Sequence, residues 1–464
     1  MAAPTTFPDR AEGSAPAAQR VPVINGLRGV AILGVVYAHV VTGVWPADAV
    51  PIAISPLLTN GSTGVNLFFV LSGFVLSLPF AAGDRPLGTT RDWLSFYRRR
   101  ALRLMPLFYV AVTAEWVVTA WLGGGANVHE LLSVLSLGFI VDARSFGPSF
   151  NPPLWSIGVE IAFSALLPPL VEVARHRGLL RLLALVIVVS LFARVAGIIR
   201  YPAVHSASFG TDMFLCRLDE FVLGMVAAQL YVRHRLPRRP GRWALAGMAL
   251  VTIAWVGFDL QLRGILPPLT RAILGNVLDA GFGALVLAAL VPGTRLAAAL
   301  SWRPLQVLGM MCYSVYIWHW PLLGWVMPDR AALPAAEFAA ALVSYLLLTA
   351  ALAALSSRFI EFARVRAWRP LFLLPAAPRA APSPVHQPVA GTPTGEARSA
   401  AASHISRGSK VSAANMVRIT TPQKARAPTP GSIVITEPKA TRAPSSDSIK
   451  MSIIDQRPMK RTMW

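Results

Sequence analysis

Apolar runs of membrane-spanning length alternate along this chain with short polar connections. Ten can be bounded to within a few residues, at 23–44, 64–82, 104–122, 154–174, 178–199, 213–232, 243–260, 272–291, 305–327 and 337–357. A helix needs about 20 mostly apolar residues to cross the hydrocarbon core of a bilayer, so the pattern predicts an all-α, polytopic transmembrane helix bundle of about ten spans. The apolar run at 131–140 is too short to cross and is expected to be re-entrant or interfacial. From residue 370 the alternation stops, and Ala, Pro, Ser and Thr take over. Nothing there could bury a core, so a disordered tail is expected. The domain reading is a disordered segment at 1–20, a membrane domain at 21–369 and a basic tail at 370–464. The residues before Val21 hold no basic run leading into a small-residue cleavage site, and the first run is read as an uncleaved span.

Composition agrees. Hydrophobic residues make up 54% of the chain and charged residues 14%, where a soluble protein shows about a quarter charged. The net charge of +21 invites a nucleic-acid reading, but its placement argues otherwise. From Leu371 onward thirteen Lys and Arg stand against four Asp and Glu, a tail charge that suits contact with anionic membrane lipid. Most of the remainder is arginine in short connections. Six lie between the second and third runs and five between the sixth and seventh, whereas the connections after odd-numbered runs hold only Arg144, Arg200, Arg263, Arg271 and Arg330. Arginine-rich short loops stay cytoplasmic. The expectation is a multi-pass protein of the cytoplasmic membrane with both termini inside and no nucleic-acid partner. The two cysteines, Cys216 and Cys312, sit in apolar runs, where a small hydrophobe is the simplest role. No Cys/His cluster of metal-ligand spacing is present, so no metal is proposed.

The first run, INGLRGVAILGVVYAHVVTGV, carries Arg28 and His39, which a plain anchor has no reason to keep. Eleven residues advance three helical turns plus roughly 20°, which puts both side chains on one face about 16 Å apart along the axis. Ionisable groups in hydrocarbon cost on the order of 3 kcal/mol or more each and usually mark a pathway or a site. From the helix alone two readings stay open: a functional pair, or a snorkelling arginine with a histidine satisfied by a neighbouring helix. Glu160, Asp219, Glu220, Asp279 and His319 fall at a depth close to that of His39, in the outer half, which predicts a polar cavity opening outward.

At this point the chain resembles the acyltransferase-3 family of integral membrane proteins, which acylate, most often acetylate, hydroxyls of surface carbohydrates, lipids or small molecules. The resemblance rests on INGLRGVAILGVVYAH at 24–39, GVNLFFVLSGFVLS at 64–77, RRRALRLMPLFY at 98–109, PLWSIGVEIAFSALLP at 153–168, CRLDEFVLGMVAAQL at 216–230 and LGMMCYSVYIWHWPLL at 308–323. Six motifs in order cover 23–365. The chain departs from the family at Cys312, where Ser often stands, and at Ala162-Phe163, where an aromatic pair is common. The tail holds no nucleophile motif, so any transfer is expected to be completed by the membrane domain.

The resemblance implies an acyl-CoA co-substrate, normally acetyl-CoA, reaching the protein from the cytosol, no bound cofactor, and a carbohydrate or lipid-linked acceptor. Attack of a hydroxyl on a thioester needs a base and groups that hold the oxyanion. His39 is assigned as the base, because imidazole titrates near neutral pH. Arg28 would hold the donor or set the electrostatics along its path, and Glu160 would orient an imidazole or bind acceptor hydroxyls. Arg98, Arg99, Arg100 and Arg103 suit the phosphates of coenzyme A, and topology anchoring explains them equally. His319, Asn66, Ser72, Trp155 and Tyr313 are expected on the acceptor side, with structural roles open for each. A transporter also fits polar groups inside a bundle, as does a scaffold of polysaccharide assembly. Acceptor identity, acyl length and oligomeric state have no readable code.

Overall fold

The structure, a computed structural model, describes residues 21–44, 51, 54–123, 127–201 and 208–363. The segments expected to be disordered, 1–20 and 370–464, lie outside the described residues. No strand occurs among the described residues, in keeping with the all-α expectation. The long helices are α1 (Pro22–Thr42), α2 (Gly64–Ala81), α3 (Thr90–Trp121), α4 (Leu154–Arg177), α5 (Leu179–Arg200), α6 (Leu218–Val232), α7 (Pro240–Leu262), α8 (Thr270–Ala289), α9 (Arg303–Met310), α10 (Cys312–Val326) and α11 (Ala335–Ser356). Their starts follow local chemistry. Pro22 opens α1, where a missing N–H costs nothing. Thr89 and Asp92 form a reciprocal capping box at the start of α3.

All ten apolar runs are helical, but two of them are not single helices. Among the described residues eight helices are long and apolar enough to cross a membrane unaided. The sixth run, 213–232, divides into a 3-10 turn at Phe214–Arg217 and then α6, and Met213, extended with ψ at 160°, separates it from a short helical turn at Phe209–Asp212 just before it. The ninth run divides at Met311 into α9 and α10. The short run expected to be re-entrant or interfacial forms the helix Val128–Leu135 and the 3-10 turn Gly138–Ile140, held to the bundle by the buried Val134 and Phe139.

α1 is enclosed by α2, α9 and α10, and α2 lies against α6. Close approach of α2 and α6 depends on two glycines: a Cβ on Gly73 would lie 2.0 Å from the Phe221 carbonyl oxygen, and one on Gly224 2.0 Å from that of Val70. Small residues at such crossings let membrane helices pack backbone to backbone. The outward faces are apolar. On α5, Leu180, Val188 and Phe192 are all more than 60% exposed, a surface that suits lipid and not water. This is a multi-pass membrane protein.

Candidate active site

Two cavities meet inside the bundle. The larger, about 350 Å³, lies at the C-terminal end of α1 and is bordered by His39, Asn66, Trp155, Trp320 and several arginines. The smaller, about 50 Å³, lies toward the N-terminal end of α1 and is bordered by Arg28, Ser72, Arg100, Arg103, Glu160, Tyr313 and Glu361. Val65 and Tyr316 border both, and so form the wall between them. Tyr316 is fixed there by its hydroxyl, which accepts from Ser156 Oγ at 2.6 Å and donates to the Pro153 carbonyl at 3.0 Å.

His39 and His319, placed at one depth by the sequence, are in contact. His39 Nδ1 is 2.9 Å from His319 Nε2, and the rings stack with centroids 5.1 Å apart. His319 is fully buried, and its Nδ1 lies against the Tyr316 carbonyl. A carbonyl only accepts, so with both rings neutral His319 Nδ1 carries the hydrogen, His319 Nε2 accepts, and His39 Nδ1 donates to it. The hydrogen positions follow from this network and fix the tautomer. His39 Nε2 is then an unprotonated nitrogen with no protein partner among the described residues, on a side chain that borders the larger cavity. His319, expected from the sequence on the acceptor side, thus stands behind His39 and does not itself border either cavity.

Three other expectations are corrected in position. Glu160 orients neither imidazole; its carboxylate pairs with Arg100 in the smaller cavity, on the Arg28 side of the wall. Ser72 and Tyr313 border that same cavity and not the one that holds Asn66 and Trp155, and the Tyr313 hydroxyl donates to the Leu104 carbonyl at 2.8 Å. The four-arginine cluster divides. Arg100 and Arg103 face the smaller cavity, Arg103 pairing with Glu361 at 3.4 Å, while Arg98 and Arg99 are exposed on the rim. Glu361 reaches this position through the π-helical turn Ser357–Glu361 that ends α11, and Ser314 Oγ donates to it at 3.1 Å.

The sequence reading missed the arginines of the larger cavity. Arg194 on α5 is buried and pairs with Asp219 at 2.9 Å and Asp279 at 3.3 Å. Arg217 pairs with Glu220 at 2.7 Å and with Asp212. Asn66 Nδ2 joins the same network by donating to Glu220 at 3.0 Å. The carboxylates expected to line a cavity thus gather behind it, around two guanidiniums. An arginine inside an apolar run, such as Arg194 in 178–199, was the available signal, and it is the rule already applied to Arg28.

Fold and site together define a polytopic membrane protein with a paired-imidazole centre at the larger of two adjoining cavities. The chain belongs to the acyltransferase domain family, whose sequence profile matches residues 21–357. It is 28% identical over 335 residues to YrhL of Bacillus subtilis, assigned as a peptidoglycan O-acetyltransferase, covering 65% of this chain and 48% of that protein. It is 25% identical over 363 residues to the O-acetyltransferase OatA of Staphylococcus aureus, covering 74% and 56%. It is 28% identical over 316 residues to BcsY of Komagataeibacter xylinus, assigned as a membrane-bound transacylase, covering 64% and 72%. The chain spans about half the length of YrhL and OatA. No solved structure matches it.

Proposed function

We propose that this protein is an O-acyltransferase of the cytoplasmic membrane that moves an acyl group, in the first instance acetyl, from cytosolic acyl-CoA to a hydroxyl of a glycan or glycolipid. The observation that carries the reading is the pair of cavities sharing the Val65–Tyr316 wall, with His39 on one side and Arg28, Arg100 and Arg103 on the other. Donor and acceptor would each have a chamber, and one imidazole would stand next to the layer between them. The Arg28 end is taken as the cytosolic one, because most of the arginines that separate the second and third runs lie along the start of α3, and two of them, Arg100 and Arg103, border the smaller cavity; both termini would then lie in the cytosol. The names of YrhL, OatA and BcsY favour acyl transfer over transport.

In this mechanism the acceptor occupies the larger cavity and the thioester reaches the wall from the smaller. His39 Nε2 takes the hydroxyl proton as the oxygen attacks the thioester carbonyl carbon. The His39 imidazolium so formed keeps its Nδ1–H on His319 Nε2, as the buried acceptor of a catalytic triad does. The C–S bond then breaks, and the proton leaves with the coenzyme A thiol. Arg28 and Arg100 supply positive charge along the donor path. A 50 Å³ cavity holds about two waters, so donor entry has to widen it.

The test is transfer of radiolabel from acetyl-CoA to candidate glycans and lipid-linked sugars by the purified full chain in vesicles. His39→Asn should lower the rate by about 100-fold or more with an unchanged melting temperature. Full transfer in that variant, or solute flux without consumption of acetyl-CoA, would overturn the assignment.

A further inference from the structure

The larger cavity has a charge pattern that acyl transfer alone does not require. Arg194, Arg217, Arg271 and Arg330 border it, against one carboxylate, Asp212. Arg194 and Arg217 are engaged by the carboxylates behind the wall of the cavity, and Asp212 is itself held by Arg217, the Ser208 N–H and Thr211 Oγ1. Among the described residues neither Arg271 nor Arg330 makes a salt bridge; Arg271 meets the network only through the nearby charges of Asp212 and Arg217, and Arg330 stands outside it. Arg271 lies over the Phe258 ring at 5.2 Å. It sits in the first turn of α8, the end of a helix where the backbone dipole disfavours a cation and favours an anion. Arg330 is anchored beside the His39 imidazole: its Nη2 donates to the His39 carbonyl at 3.1 Å and its Nε to that of Val40 at 3.3 Å, and Nη1 has no hydrogen-bond partner among the described residues. Two further nitrogens at the edge of the cavity, Arg194 Nη1 and Arg217 Nε, are buried and without a hydrogen-bond partner among the described residues. Buried guanidinium N–H groups left unpaired are costly, so these two arginines carry more donors than the surrounding carboxylates satisfy.

We infer that the larger cavity is an anion-recognising acceptor site, in which Arg271 and Arg330 bind a carboxylate or phosphate of the acceptor and so bring a hydroxyl of the same molecule to His39. The inference rests on the proposed function for placing the acceptor in this chamber. It goes further in naming the chemical class of that acceptor, a saccharide bearing an anionic group. Guanidinium is suited to the purpose, since its planar fork matches both carboxylate and phosphate oxygens.

The experiment is binding without donor, followed by saturation-transfer NMR on the purified full chain in detergent. The probes are methyl glucoside, glucuronate and glucose 1-phosphate, which share a ring and differ in charge. The anionic sugars should bind at least about tenfold more tightly than the neutral one, and the stronger of the two identifies the anion as carboxylate or phosphate. Arg271→Gln and Arg330→Gln should each remove that preference, and Arg271→Lys, which keeps the charge, should retain most of it. Equal binding of neutral and anionic sugars would overturn the inference, as would a charge preference that survives both Gln variants. Because no acyl donor is present, failed acyl transfer would leave this result standing, and charge-blind binding would leave acyl transfer untouched.

Discussion

Replacing His319 by phenylalanine removes the acceptor that holds the His39 tautomer while filling the same buried space. In the resting pair His39 Nδ1 donates to His319 Nε2 at 2.9 Å. Once His39 has taken the acceptor's proton, that bond becomes charge-assisted, a class worth about 1.5–3 kcal/mol. Its loss in the transition state corresponds to a fall of about 10- to 150-fold in kcat. The KM for acetyl-CoA should stay within about twofold, because the groups proposed to meet the donor, Arg28, Arg100 and Arg103, lie beyond the Val65–Tyr316 wall. His319→Gln, whose amide oxygen can accept from His39, should recover part of the rate, which a merely structural role would not explain. Adding His319→Phe to His39→Asn should cost little more than His39→Asn alone, since a positioning residue has nothing left to position. Steady-state transfer assays on vesicles, with melting curves to confirm folding, read all of these. A His319→Phe enzyme within threefold of the parent, or a double variant whose losses multiply, would refute the reasoning.

Two further outcomes follow from the geometry. Arg100→Gln should raise the KM for acetyl-CoA about tenfold, since Arg100 borders the smaller cavity, proposed above for the donor, and links Glu160 to Ser164, whereas Arg98→Gln and Arg99→Gln on the exposed rim should change it less than about twofold; equal effects from all three in steady-state kinetics would assign the cluster to general rim electrostatics. Gly73→Ala should lower the thermal midpoint in detergent, because its Cβ would lie 2.0 Å from the Phe221 carbonyl oxygen and overpacking of this kind costs typically 1–3 kcal/mol; an unchanged midpoint would mean that α2 and α6 separate freely.

What the sequence made legible was whatever one helix decides by itself. Span length gave the bundle, and helical spacing gave Arg28 and His39 a common face, which the structure keeps while setting them in different cavities. Depth along a span brought His39 and His319 to one level, where they touch. Depth counted from the end of a run failed for Glu160, however: expected level with His39, it lies beyond Trp155 along α4, in the smaller cavity with Arg28, where it pairs with Arg100. Arg271 and Arg330 were read only as loop charges. Their place in the larger cavity depends on which helices are neighbours, and no single-helix periodicity encodes that. The break at Met311 was equally hidden, because no charged residue interrupts the ninth run, whereas the irregular start of the sixth run does carry Arg217, Asp219 and Glu220.

The broken sixth run still has to cross the membrane, and the cavities show why. Along α1 the order is smaller cavity then larger, from Arg28 to His39, and along α10 it is the same, from Tyr313 through Tyr316 to Trp320. Along α2 the order reverses, from Asn66 to Ser72, and it reverses along α4 as well, from Trp155 to Glu160. First and ninth runs are therefore parallel, and second and fourth run against them, as strict alternation requires. If the sixth run failed to cross, α10 would point the opposite way to α1. Instead α6 runs alongside α2, with Glu220 beside Asn66 near one end and Tyr231 against Phe74 at 5.9 Å toward the other. A helix of fifteen residues reaches about 22 Å, short of the roughly 30 Å hydrocarbon core. The turns at Phe209–Asp212 and Phe214–Arg217 make up the difference, and irregular backbone at membrane depth is tolerated where it is buried in protein or lines a polar cavity. Asp212 and Arg217, which these turns carry, border the larger cavity. The interruption at the start of the sixth span thus goes with the larger cavity: regular helix gives way where charged groups face inward.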